Sequence, residues 1–150
     1  MNIKWTAKKS LTLTRILTLV TLVLAGAALF CIPVMTEWYD AVSGHEPIRM
    51  MLTVCLYLSA FLGIAALLGL LKMLDNIAKQ QVFVNQNAFC LRLISWCCFA
   101  VAAIWIVLAF RRPLAFFVAF IAAFGGLVVR VVKNLLEMGI TLREENDYTI

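Results

Sequence analysis

Four side chains between residues 36 and 49 have the chemistry to hold a metal ion: Glu37, Asp40, His45 and Glu46. A metal site needs several donors at ligand-like spacing, and zinc sites draw on more than one His or Cys. A single histidine among scattered carboxylates does not supply that, so the stretch reads as a solvated acidic loop. No metal or other cofactor is expected. The five cysteines are Cys31, Cys55, Cys90, Cys97 and Cys98. None forms the C-x-x-C pair of a thiol–disulfide exchange centre. Cys97 and Cys98 are adjacent and lie in an apolar run, where thiols pack as small hydrophobes. Cys31 and Cys55 fall at similar depth near one end of their segments, which leaves a disulfide between them open. No Ser/His/Asp set, phosphate-binding loop or pair of catalytic carboxylates stands out, so the chain is not expected to be an enzyme.

The remaining polar groups of interest are Tyr57, Ser59 and Ser95, each inside an otherwise apolar stretch. Hydroxyls in such surroundings usually bond across helices or to backbone rather than line a path. No Asp, Glu, Lys, Arg or His occurs in residues 16–35, 50–71, 93–110 or 114–129. Proton-coupled transporters and small multidrug pumps usually need a buried carboxylate or relay, so its absence argues against a classical pump, though not against facilitated passage.

The elements that carry these residues follow from composition. Of 150 residues, 64% are hydrophobic and 14% charged, against roughly half and a quarter in soluble domains. The chain therefore reads as one all-α membrane domain, residues 1–150. The hairpin around Arg111-Arg112-Pro113 organises it. Apolar runs on either side are each long enough to cross a ~30 Å hydrocarbon core at ~1.5 Å per residue. Proline cannot continue the first helix but suits the start of the next. Spans are expected at about 16–35, 50–71, 93–110 and 114–132, as four transmembrane helices in an antiparallel bundle. The basic start and Ala25-Gly26-Ala27 resemble a secretory signal. The apolar run continues past them and more spans follow, so an uncleaved first span is expected, with Ser10 as its N-cap. The second helix should run on past the membrane, since Leu71, Leu74 and Ile77 keep helical spacing. Asn85 is the expected N-cap of the third helix. In the fourth, Val128, Val131, Val132, Leu135 and Leu142 form one stripe and Arg130, Lys133, Asn134 and Glu137 another. That pattern extends the helix into the cytoplasm.

Basic residues set the orientation. Lys4, Lys8, Lys9, Arg15, Lys72, Lys79, Arg92, Arg130, Lys133 and Arg143 share the side of the termini, and only Arg49, Arg111 and Arg112 lie opposite. The positive-inside rule then puts both termini in the cytoplasm. The net charge of +5 flanks apolar runs, which points to anionic lipid rather than nucleic acid as counter-charge. Arg15, Arg111, Arg112, Arg130 and Lys133 are the expected headgroup contacts. Small residues four apart (Ser59/Gly63, Ala65/Gly69, Ala119/Ala123, Ala122/Gly126) suit close helix approach, within the chain or in a homo-oligomer.

The connection Phe83-Val84-Asn85-Gln86-Asn87, followed by Leu91-Arg92 and Ile94, resembles a motif of a bacterial membrane-protein family catalogued as domain of unknown function 2975. The end of the chain, with Leu142, Glu144, Glu145, Asp147, Thr149 and Ile150 in order, resembles that family's tail. Val82 stands where proline is common and Tyr148 where leucine is. The resemblance implies four spans in a bacterial inner membrane and a cytoplasmic Phe-x-x-x-Asn element. It also implies a partner, because the family's genes commonly lie beside one for a small helix-turn-helix regulator.

Two functions fit these observations. One is an interaction protein that holds or modulates a DNA-binding regulator at the cytoplasmic face, itself without direct nucleic-acid contact. Its partner-binding candidates are Phe83, Asn87, Arg92, Glu144, Glu145, Asp147, Thr149 and Ile150. The alternative is a small immunity or transport protein acting on a membrane-active compound, with its function in the spans or in residues 36–49.

Overall fold

In a computed structural model, residues 3–149 are described, with side chains from Thr6 onward; Ile150 lies outside the described residues. They form four α-helices and no strand: α1 (Ile3–Ser43), α2 (Arg49–Ala78), α3 (Asn85–Ala109) and α4 (Ala115–Tyr148). All four are long and apolar enough to cross a membrane. Each helix packs on its neighbour in sequence, α1 on α2, α2 on α3 and α3 on α4, and no other pair brings its backbones together. The bundle is therefore open, a row of helices in chain order. Contacts at both ends of each pair show that neighbours run in opposite directions. Arg15 meets Asp75 while Thr53 donates to Thr36. Trp105 donates to Ser59, and Gly69 lies against Ile94. Ser95 donates to the Gly126 carbonyl, and Arg92 meets Glu137. One end of the molecule carries the described limits of the chain and the α2–α3 connection; the other carries the α1–α2 and α3–α4 turns.

Local chemistry explains where the helices stop. α1 runs unbroken from Ile3 to Ser43, with Pro33 inside it, and ends at Gly44. The hydroxyls of Thr12, Thr14, Thr18 and Thr21 donate to the carbonyl four residues back, so they travel inside an apolar helix without an unmet donor. Ser10 is consequently an interior residue of α1 and not its N-cap. Residues 36–49 are not a loop either. Two further turns of α1 occupy most of the stretch, and the chain turns only over residues 44–48, where Gly44 takes φ +60°. The carboxylate of Asp40 then accepts from the backbone N–H groups of Ile48 and Arg49, at 3.2 and 2.8 Å. An acidic side chain on α1 thus caps the positive end of α2, which has no side-chain cap of its own.

At the same end, the N–H groups of Arg111 and Arg112 both donate to the carbonyl of Leu108, closing α3 ahead of Pro113. Ile48, Cys55, Leu108 and Ala115 form a buried cluster beneath these turns, with Tyr39 and Trp105 packed on it. All five cysteines are free; Cys31 is exposed and Cys55 buried in this cluster, so the two do not pair.

Small residues set the other helix contacts. A Cβ at Gly69 would meet Ile94 and Leu93, and one at Gly126 would meet Phe99 and Cys98 at 3.1–3.2 Å. Gly69 therefore seats α3 against α2, and Gly126 seats it against α4. Ser59 and Ser95 bond across helices as their surroundings require; Ser95 is 2% exposed. The buried positions of α4 include Ala119, Gly126, Lys133 and Ile140, which repeat every seven residues.

Candidate functional site

The α2–α3 connection and the adjoining ends of α2, α3 and α4 gather most of the residues singled out above. The connection begins where α2 ends, with Gln80 in the left-handed region at φ +61°. Asn87 then closes it. Its side-chain amide donates to the carbonyls of Gln81 and Val82, both at 2.9 Å, and its carbonyl oxygen accepts from Asn76 at 2.8 Å. Asn76 also donates to Gln86. Asn87 is 1% exposed. Its two amide protons and one oxygen are all spent on the connection itself, an arrangement that buried amides require. Asn87 therefore builds the surface and is not presented on it. Asn85 does not cap α3: the residue before the helix is Val84, in extended backbone, and Asn85 is the first helical residue. The side chain that orders this helix start sits two residues later than the N-cap rule places it.

Phe83 docks the same connection onto α4. A Cβ built at Gly139 would lie 2.6 and 2.8 Å from two ring carbons of Phe83. Only a residue without a side chain lets the ring lie against this turn of α4. Phe83 remains about half exposed, so its outer face is available. Phe83 and Asn87 together latch the connection, one to α4 and one to α2.

Charges ring the molecule at two levels. At the level of the connection, Arg15 pairs with Asp75 at 2.9 Å, and Glu137 receives Arg92 at 3.2 Å and Lys133 at 3.6 Å. The guanidinium of Arg130 stands 5.7 Å over the Trp96 ring. At the opposite level, Arg49 faces Glu37, and Arg111 faces Glu46. Arg112 donates to the Glu46 carbonyl and stands over Tyr39. From Arg112 to Arg130 is 18 residues of sequence, or ~27 Å of helix, close to the ~30 Å of a hydrocarbon core. Most of these pairs are half-exposed, and in water each would contribute under about 1 kcal/mol. Their position at the rims is the informative part. Arg15 and Arg130 lie at one of these levels and Arg111 and Arg112 at the other. Lys133 does not face outward as a headgroup contact would, because its side chain is only 10% exposed and packs inward beside Glu137. It occupies the buried seven-residue face of α4, which a helix period imposes whatever the charge.

Beyond this level α4 continues as helix to Tyr148. Glu144, Glu145 and Asp147 are exposed and make no ion pair among the described residues, while the Thr149 hydroxyl donates back to Glu145 and Asn146. No group of three or more metal-ligating side chains occurs among the described residues. Two participants were not singled out by pattern. Asn76 is a lone amide late in an apolar helix, and Gly139 is a glycine inside a helical stripe. Both are the kind of local misfit that marks a packing contact.

The geometry defines a class: a four-helix protein whose helices are all long and apolar enough to cross a membrane, with an ordered connection between the second and third. A family model described as Protein of unknown function (DUF2975) matches residues 7–150, and the chain belongs to that family. No curated protein and no solved structure matches it.

Proposed function

We propose that this protein is a non-enzymatic membrane anchor that holds, and thereby modulates, a small helix-turn-helix regulator at the cytoplasmic face of the bacterial inner membrane. The observation that carries this reading is the end of α4. A continuous helix delivers Glu144, Glu145 and Asp147, exposed and without an ion partner among the described residues, about 20 Å past the Arg130 level. Anionic lipid repels such a segment, so it stands off the membrane. A basic DNA-facing surface is its electrostatic complement, and an acidic helix bound there competes with phosphate. The basic bias of this end supports a cytoplasmic placement. The resemblance noted above supports a regulator as the partner. Phe83, half exposed beside the latch, and Arg92 at the adjoining helix start extend the same surface. Transport draws less support, because Ser59 and Ser95 are engaged in bonds between helices.

The test is co-purification of the full-length protein from native membranes, with and without residues 143–150. A small DNA-binding protein should accompany the intact chain and be lost steeply as salt rises. Truncation should leave insertion unchanged and release that protein to the cytosol. Retention of the regulator by the truncated chain, with unchanged salt dependence, would overturn the proposal.

A further inference from the structure

The long helix α4 carries a second stripe that the chain does not use. Inside the span, Phe117, Ile121, Phe124 and Val128 are 46–70% exposed, where lipid accepts them. Past Arg130 the same stripe goes on through Val131, Leu135, Met138 and Leu142, which are 59–64% exposed. Intervals alternate strictly between four and three residues from Phe117 to Leu142. That is the spacing of the core positions of a left-handed coiled coil. The buried residues Ala119, Gly126, Lys133 and Ile140 lie on the opposite side of the helix, so the stripe faces away from α3; the Phe83 ring reaches one flank at Gly139 and leaves Met138 itself 62% exposed.

Depth separates the two halves of the stripe. Met138 and Leu142 stand ~12 and ~18 Å beyond Arg130 along the helix, past a headgroup layer of roughly 6 Å. Lipid cannot cover them there, and water penalises their exposure. We infer that α4 pairs with α4 of a second copy of this chain, in parallel, as a two-stranded coiled coil that begins in the bilayer and continues beyond it. A second copy in the same membrane brings a helix of the same length, direction and register. The positions flanking the seam beyond the bilayer, Val132, Asn134, Gly139 and Thr141, carry no charge, so a symmetric pairing sets no like charges against one another. Charge falls instead on outer positions such as Glu137, Arg143 and Glu144. Eight side chains of this size, each about three-fifths exposed, offer on the order of 1,000 Å² per copy, against the ~800 Å² per partner of a stable interface. The next seam position after Leu142 is Glu145, and two carboxylates there would splay the helix ends. The pairing therefore stops before the acidic segment and leaves it available, and it stands whether or not a regulator binds there.

The test is disulfide cross-linking of the full-length protein in its native membrane, from a cysteine-free background. Single cysteines at Leu135, Met138 and Leu142 should each give the covalent dimer, at least about tenfold above cysteines at Arg143 and Glu144, as a seam requires. Equal yields at all five positions, or seam cysteines that link only to a different protein, would overturn the pairing. Because Cys55, Cys90 and Cys97 are buried, a second measurement keeps the native cysteines. Photobleaching of singly labelled chains in vesicles should show two steps for the natural sequence and one for the Leu135→Gln/Leu142→Gln variant. Single steps for the natural sequence would equally refute it.

Discussion

The contact between Phe83 and Gly139 makes a prediction whose sign depends on background. Replacing glycine by alanine inside a helix ordinarily stabilises it by about 1 kcal/mol, because glycine loses more backbone freedom on folding. At Gly139 the new methyl would sit 2.6 Å from one ring carbon of Phe83 and 2.8 Å from another, well inside contact distance. Overpacking of this kind costs about 1–3 kcal/mol. Phe83 is 46% exposed, so its ring can swing outward, which favours the lower half of that range. Gly139→Ala should therefore be neutral to destabilising by about 1 kcal/mol in the natural sequence. In a Phe83→Ala background the obstacle is gone, and the same change should stabilise by up to about 1 kcal/mol. The coupling between the two sites is then on the order of 1–2 kcal/mol. The assay is denaturation of purified protein in mixed micelles, followed by tryptophan fluorescence, for the four members of the cycle. Trp105, bonded to Ser59 between α2 and α3, reports on the packed state. If Gly139→Ala shifts stability equally in both backgrounds, Phe83 does not dock on α4 and the latch is misread.

Two further expectations use the same end and its opposite. Asn87→Ala removes three hydrogen bonds at once and leaves the Asn76 amide with Gln86 as its one acceptor and the Gln81 and Val82 carbonyls without the amide, so it should cost about 2–4 kcal/mol in the same unfolding assay, more than the ~1 kcal/mol of a lost helix cap; a cost under 1 kcal/mol would mean solvent replaces the amide. For orientation, a cysteine at exposed His45 should react with an impermeant thiol reagent in intact cells once the native cysteines are removed, and one at Ser10 should not. The reverse labelling would invert the molecule and remove the acidic end of α4 from the cytoplasm.

Much of this protein was legible before any fold was in hand. Uncharged runs about as long as a hydrocarbon core is thick read as helices, since no other single segment meets its own backbone hydrogen bonds in lipid. Four such runs, a two-arginine turn and a one-sided excess of lysine and arginine follow directly from residue order. So does the lack of Asp, Glu, Lys, Arg and His in the four apolar runs, because composition within a run is read directly from its residues. What the order of residues left undecided was which polar groups meet. Asn87 read as a partner-binding candidate and is a buried hub of three bonds, because Asn76, Gln81 and Val82 converge on it only after the chain turns back at Gln80. Asp40 read as part of an acidic loop and is the cap of α2 because α1 runs two turns further than its apolar stretch. Lys133 read as a headgroup contact and lies inward, because the seven-residue repeat of Ala119, Gly126 and Ile140 assigns its face. Periodicity fixes which residues share a side of a helix; only the approach of α3 and of the Phe83 ring decides which side of α4 is covered and which is left to a partner.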